Sequence, residues 1–441
     1  MIEIIRDICA GVAGVSGYKI QERNCEAVEL FFVENELDMN RGKKVRQYQV
    51  TVYHDFCEAD LRYKGSATVK IHPTMNPAEI RRTIAAAVFA AKHVKNQDYP
   101  LAKPGQAGAA PTTGSVSAAP ATLAVPVAEA VFGAAPARAH AHAPRSGAWI
   151  NSAEVFLSRI ETRVVNSEGV DVSESNFRGE VELIADWGKG KEEVELYKLI
   201  RFSAFDPEQI GRAVADLLEL CRAKGGARPT PAIAGATVLL SGAPVRDFLH
   251  YYYMKAAARN VYEKSSTARL GENIQGPAVR GDRVSLRLEP GLANSTASHR
   301  FDEDGTLLAP AQIFADGKLV RYWGNQQFAH YLQAEPTGII TNQVYQGGSL
   351  CGAALQSDCH LELLDFSDFQ MDVLTGDFGG EIRFGWCYEG GERYPVSGGA
   401  ISGNIGAVQE EMYFSKELRR EDDFMGPQTV KLDKIAVTGG A

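Results

Sequence analysis

The 441-residue chain has few cysteines, and their arrangement argues against a disulfide-stapled fold. The seven cysteines are scattered and show no C-x-x-C spacing. A sparse, odd set of this kind is typical of proteins from a reducing compartment. We therefore expect free or buried thiols and a cytoplasmic protein.

Long apolar runs are also missing. No stretch of about 18 or more apolar residues occurs, so no membrane span is predicted. The first residues, from Met1 to Asp7, lack a basic region followed by an apolar run, so no signal peptide is expected. Basic residues are not in excess either, because the net charge is -9. A nucleic-acid partner, which usually requires a basic surface, is not expected.

Several common catalytic signatures do not occur. The sequence has no P-loop, G-x-S-x-G elbow, His-Glu-x-x-His helix, EF-hand loop or zinc-knuckle pattern. What is present is the composition of an ordinary globular protein, with 45% hydrophobic and 23% charged residues. At roughly 100–200 residues per domain, the length predicts two to four domains.

Composition places the clearest boundary near the middle of the amino-terminal half. Residues 99–147 are dominated by Ala, Pro, Gly, Ser and Thr, which predicts an Ala/Pro-rich linker or disordered insertion. A transient helix over residues 127–132, limited by Pro126, is the alternative. The segment separates an amino-terminal α/β unit (1–98) from a second α/β unit (148–231). Each unit has strands followed by a helix with a capping residue and proline at its start, at Asn76 and at Asp206.

Residues 232–441 have a different pattern. One predicted helix (244–263) is followed by short β-rich runs separated by turns such as Asp304-Gly305 and Asp316-Gly317. Regularly spaced turns of this kind indicate a large antiparallel sheet or open barrel. The predicted fold class is therefore α+β, with helices on a sheet in a mixed α/β amino-terminal part and a large β-rich carboxyl-terminal domain.

Several stretches, in order along residues 152–440, resemble the TldD/PmbA family, also known as modulators of DNA gyrase or TldD–TldE metalloproteases. They are the strand ending in Asn-Ser-Glu-Gly (159–169), the acidic-Gly hairpin (301–305 and 315–319), Pro-Thr-Gly (336–338), the closing sheet (375–378 and 394–405) and the terminal strand (426–430). The resemblance implies proteolysis of extended peptides, including peptide-antibiotic precursors and unfolded antitoxins. It also implies a heterodimer in which TldD carries zinc.

TldD subunits of this family carry a His-Glu-x-x-x-His helix and a late cysteine. In the matching helix here, His250 falls on the first histidine, Tyr251 on the glutamate and Lys255 on the second histidine. No cysteine follows Cys387. Zinc needs about three protein ligands, and the water it activates needs a base. These positions therefore resemble a degenerate metal site of the TldE/PmbA-like branch, and we expect no metal, cofactor or catalytic residue on this chain.

Other residues of the helix have two interpretations. Tyr252 and Tyr253 are candidates for a peptide groove together with Arg269, although the tyrosines suit core packing as well. His250 is expected to point away from the buried side of the helix. Cys359 and His360 are neighbours in a β-like run, which predicts a core cysteine beside a surface histidine.

The leading hypothesis is a non-catalytic, TldE/PmbA-like subunit of a TldD-type metalloprotease that acts on extended or unfolded peptides. Its expected partners are a TldD-like zinc subunit, in a heterodimer, and the peptide itself; a homodimer is also possible. One alternative is a stand-alone metallopeptidase with a non-standard site that uses His250, His330 or His360. Another is a peptide-binding scaffold without proteolytic activity.

Overall fold

The computed structural model describes residues 1–105, 119–134, 146–189 and 192–440. The helices in this part are α1 (Ile2–Gly11), α2 (Pro77–Ala91), α3 (Pro120–Gly133), α4 (Pro207–Lys224), α5 (Ala243–Lys255), α6 (Ala258–Tyr262), α7 (Gln326–Tyr331), α8 (Gly352–Leu355) and α9 (Ile405–Val408). A short 3₁₀ turn follows at Gln409–Glu411. None of the helices described is long and apolar enough to cross a membrane.

The strands of the amino-terminal part are β1 (Gly17–Val33), β2 (Glu36–Glu58), β3 (Leu61–Ile71), β4 (Ser146–Asn166), β5 (Asp171–Lys189) and β6 (Glu192–Phe202). Those of the carboxyl-terminal part are β7 (Arg228–Pro229), β8 (Ile233–Ser241), β9 (Leu286–Leu288), β10 (Ala311–Ala315), β11 (Lys318–Leu319), β12 (Gln343–Tyr345), β13 (His360–Met371), β14 (Asp377–Glu389), β15 (Glu392–Ser397), β16 (Ala400–Asn404), β17 (Tyr413–Phe414), β18 (Leu418–Glu421), β19 (Phe424–Pro427) and β20 (Thr429–Thr438).

The two α/β units expected from the sequence share one antiparallel sheet, in the order β3-β2-β1-β4-β5-β6. Strand β1 of the first unit pairs with β4 of the second over most of its length, from Lys19 opposite Asn166 to Val33 opposite Ser152. The units are therefore halves of one layer rather than separate domains. Local sequence patterns do not reveal which distant strand pairs with β1.

The capping predictions for two helices are confirmed. The Asn76 side chain accepts hydrogen bonds from the backbone N–H groups of Ala78 and Glu79, and Glu79 accepts one from the N–H of Asn76. At α4, Asp206 accepts bonds from the N–H groups of Glu208 and Gln209. Both helices lie on the same face of the sheet, α2 over one end and α4 over the other.

Part of the predicted Ala/Pro-rich segment needs correction. Helix α3 forms within it, and the side chains of Ala124, Val127 and Val131 are buried against β1, β4 and α4. Pro126 lies inside this helix. Small apolar residues contribute a packed face here even though their composition is typical of linkers. Residues 106–118 and 135–145 of the expected linker lie outside the described residues.

The carboxyl-terminal part is β-rich, as predicted, and it contains a closed barrel rather than an open one. Strands β13, β8, β20, β16 and β14 are hydrogen-bonded in that order, and pairing of β13 with β14 closes the ring. A separate sheet has the order β11-β10-β9-β12-β19-β18. One hydrophobic core, which includes Val238, Phe314 and Leu361, extends over both sheets.

The helix predicted over residues 244–263 is two helices, α5 and α6. The chain extends at Ala257 (φ -64°, ψ 122°), where it forms a bridge with Trp323. The N–H of Ala258 donates to the carbonyl of Trp323 at 2.8 Å, and the N–H of Trp323 donates to the carbonyl of Ala256 at 3.1 Å. These bonds to a neighbouring segment replace the helical ladder at this point.

Candidate functional site

Helix α5 is the structural counterpart of the predicted metal helix. It follows β8 directly, and Gly242 makes the turn with a φ of 77°, a conformation that suits glycine. The helix packs against β13, β8 and β19. Its buried side chains surround most of its circumference: Pro244, Val245, Phe248, Leu249, Tyr251, Tyr252, Tyr253 and Lys255. It is therefore a central core element with only one narrow accessible side.

Tyr252 and Tyr253 belong to the core, so their assignment to a peptide groove is corrected. Tyr252 is fully buried, and its hydroxyl donates to Oε1 of Gln409 at 3.1 Å. Tyr253 is 5% exposed; its hydroxyl donates to the carbonyl of Ile340, and its ring stacks on Trp323 with centroids 4.2 Å apart. The core-packing alternative is the one that the structure supports.

Tyr251 and Lys255 lie against each other. The Lys255 ammonium is 5.4 Å from the centre of the Tyr251 ring, within the range of a cation–π contact. Both residues are buried, with exposures of 7% and 5%. Burial raises the pKa of the Tyr251 phenol to about 12. It lowers the pKa of the Lys255 ammonium, because desolvation disfavours the charged form.

His250 is half-buried on the accessible side of α5. Its ring stacks on Tyr253, and its Nδ1 lies 3.2 Å from Nε2 of Gln343. When this amide nitrogen donates, Nδ1 is the acceptor and Nε2 carries the imidazole hydrogen. Burial, reinforced by the positive charge of Arg246, lowers the pKa of His250 below its usual 6.5. The imidazole is therefore neutral at pH 7.

Charged groups surround His250 on this side. Arg246, one turn earlier, forms a paired contact with both carboxylate oxygens of Asp423, each at 2.9 Å. The Asp247 side chain is 48% exposed beside it. The helical spacing of Arg246, Asp247 and His250 was visible in the sequence. Gln343 and Asp423 come from β12 and the β18–β19 turn, and no local signal identifies them.

The residues at the expected metal position do not fit a zinc ion. Protein ligands for zinc are thiolate, imidazole and carboxylate groups. Tyr251 and Lys255 supply a neutral phenol and an ammonium, and both are engaged with each other. Within residues 1–105, 119–134, 146–189 and 192–440, no group of three or more His, Cys, Asp and Glu is placed to hold a metal.

The other predicted histidines lie elsewhere and are not brought together with His250. His330 is exposed on α7. His360 is 3% exposed, stacks on Tyr388 with centroids 4.1 Å apart and contacts the carbonyl of Ser357 through Nδ1 at 2.7 Å. Cys359 is exposed. The expected core cysteine and surface histidine are therefore reversed, since the flat imidazole gains the aromatic contact.

Arg269 remains accessible, with 79% of its side chain exposed and Glu272 3.9 Å away. It follows the segment that holds the end of α5, where Ser266 Oγ donates to the carbonyl of Lys255 at 2.7 Å. Arg269 is thus the one member of the predicted groove set that is free to meet another molecule. Within the part of the chain that the structure describes, Arg269 makes no contact with His250.

Residues 234–439 match the sequence model of the PmbA/TldA metallopeptidase C-terminal domain. This carboxyl-terminal part of the chain belongs to the PmbA/TldD family. Across the whole chain, its fold is similar to TldE from Thermococcus kodakarensis, with a TM-score of 0.77, 16% identity and full coverage of both chains. It is equally similar to a protein of Thermotoga maritima named as a modulator of a DNA gyrase (TM-score 0.77, 17% identity, 99% and 100% coverage).

A curated relative matches a smaller part of the chain. An uncharacterised protein of Methanocaldococcus jannaschii is 24% identical over 285 residues. The match covers 61% of this chain and 65% of that protein, so the chain spans a little under two thirds of the length of this relative. Helix α5 lies within the residues that match the PmbA/TldA C-terminal domain.

Proposed function

We propose that this chain is a TldE-type, non-catalytic subunit of a TldD-like metalloprotease that acts on extended or unfolded peptides. The observation that carries the proposal is the arrangement of Tyr251 and Lys255. Where a metal helix would present a glutamate and a histidine, α5 buries a phenol under an ammonium. The fold similarity to TldE supports the same assignment.

The proposed partner is a TldD-like subunit that carries the zinc ion and performs hydrolysis. This chain would then hold or position the peptide within a heterodimer. We also assign it to the cytoplasm, since all seven cysteines are free thiols in the structure. In the absence of a TldD-like subunit, a homodimer is the alternative assembly.

Co-expression with a TldD-like subunit from the same genome tests this role. The expected result is a stable complex in which zinc analysis finds metal on the partner and peptide cleavage requires both chains. Cleavage by this chain alone, abolished by a chelator, would instead indicate a stand-alone metallopeptidase. Failure to recover any complex would favour a peptide-binding scaffold.

A further inference from the structure

Strand β2 has a long free edge in the amino-terminal sheet. Strand β3 pairs only with its second half, starting at Tyr48 opposite Ile71. Residues 36–47 pair with β1 on one side and with no other described strand. All of them except Val45 are exposed. In such a strand, alternate residues direct their N–H and C=O groups toward the open side, which is a template for another strand.

This edge carries a concentration of positive charge in an acidic protein. Residues 41–46 read Arg-Gly-Lys-Lys-Val-Arg, and no acid interrupts them. Arg41 contacts Glu29, and Nε of Arg46 donates to Oδ1 of Asn24 at 2.7 Å. Lys43 and Lys44 form no ion pair with any residue that the structure describes. Their charges are therefore available to a partner.

A depression lies beside the edge on the helix-covered face of the sheet. Its volume is about 420 Å³, within the range of ligand-binding clefts. Two cross-strand rows line it: Lys44 opposite Glu26 opposite Arg159, and Arg46 opposite Asn24 opposite Glu161. It separates the core beneath α1 and α2 from the core beneath α3 and α4.

We propose that the edge of β2 over residues 41–46, called here the basic edge, pairs with an acidic, extended peptide segment. Backbone hydrogen bonds would add the segment as a strand, which is a common mode of peptide recognition. Because side chains alternate along a strand, its carboxylates would meet Arg41 and Lys43 on one face and Lys44 and Arg46, beside the depression, on the other. Like charges disfavour pairing with the same edge of a second copy.

This inference deepens the proposed function, on which it rests, by naming the class of peptide. The probe is a capped, fluorescent twelve-residue peptide that repeats Glu-Glu-Val-Val, so that each face of the strand carries glutamates, and it is compared with a peptide in which Gln replaces Glu. Fluorescence anisotropy with the full chain should show binding of the acidic peptide that weakens with added salt. The Gln peptide should bind more weakly.

The decisive protein variant is Lys43→Glu combined with Lys44→Glu. Both side chains are exposed, so the fold should be retained, which circular dichroism checks. Reversing two exposed charges should weaken binding roughly tenfold or more. The matched control, Lys92→Glu with Lys103→Glu, changes the net charge equally at two exposed lysines elsewhere and should bind as the parent does.

A third peptide separates strand addition from simple attraction between charges. Methylation of every backbone nitrogen removes the N–H donors of both edges of the peptide but keeps every carboxylate, and it should abolish binding. Undiminished binding of this peptide, or equal binding by both double variants, would overturn the proposal. The binding assay uses this chain alone, so a failure to bind the acidic peptide would not decide whether the chain is a subunit of a protease. Likewise, an absence of partner-dependent cleavage would not change the result of the binding assay.

Discussion

Lys255 places its ammonium over the ring of Tyr251, one helical turn earlier on α5, at 5.4 Å from the ring centre. By the resemblance to the family motif, these two residues are expected to stand where TldD subunits have a glutamate and a second histidine. Neither residue is a zinc ligand, and their buried side chains also fill the space that a metal ion would need. A metal-binding helix would need both positions to face an open, polar site.

Restoring the motif residues alone should therefore fail to restore a metal site. We expect the variant Tyr251→Glu/Lys255→His to bind no stoichiometric zinc, since the new side chains enter the core and no late cysteine completes the ligand set. It should also be less stable than the parent, because a buried glutamate is desolvated. Elemental analysis after dialysis measures the metal. One tightly held zinc per chain would show that the site is latent rather than lost.

Tyr252 tests whether the tyrosine run belongs to the core. Because its side chain is fully buried, Tyr252→Ala should lower the free energy of unfolding by about 3–5 kcal/mol, the usual cost of truncating a large aromatic residue. Tyr252→Phe keeps the ring and loses only the bond to Gln409, so it should cost about 1 kcal/mol. Urea denaturation measures both. A negligible effect of the alanine variant would return Tyr252 to a surface role.

Features of the fold that depend on neighbouring residues could be predicted from the sequence. Asn76 and Asp206 act within three residues of themselves, so their capping of α2 and α4 could be predicted. The family of the carboxyl-terminal domain was likewise identified. Pairing of β1 with β4 depends on residues more than a hundred positions apart, and no local pattern reports it.

The candidate site shows the same division. The helix and its substituted positions could be found from the resemblance to the family motif. The burial of Tyr252 and Tyr253, in contrast, depends on Gln409, Ile340 and Trp323 from remote segments. Helix α3 was predicted only as a transient helix over residues 127–132, limited by Pro126, for a related reason. Its alanines and valines have the composition of a linker, and only the exposed apolar face of β1 and β4 makes their burial favourable.

The environment of His250 predicts its titration. Burial and Arg246 disfavour the imidazolium, so the pKa should lie below the usual 6.5, with Nε2 protonated near pH 7. The unfolded state then binds more protons than the folded state between the folded pKa and 6.5. The contribution of His250 to stability is therefore lost as pH falls through this window.

Nitrogen-15 NMR of histidine-labelled protein, with His250→Gln to assign the signal, measures both the pKa and the tautomer. Replacing Gln343 with Ala removes the amide that contacts Nδ1 and should alter the tautomer balance. A pKa above 6.5 would contradict the burial argument.

Asp302 predicts the opposite dependence on pH at the junction of the two parts of the molecule. It is 7% exposed, and burial raises its pKa from 3.8 to about 6 although it accepts bonds from the N–H groups of Asp304 and Thr306. The folded state therefore binds more protons than the unfolded state between pH 3.8 and 6. The free energy of unfolding should fall as pH rises through this window, by roughly 3 kcal/mol at 1.4 kcal/mol per pKa unit.

Urea denaturation of the parent and of Asp302→Asn, compared at each pH from 4 to 7, isolates this contribution from that of other carboxylates. Parallel pH profiles for the two proteins would show that Asp302 ionises normally in the fold.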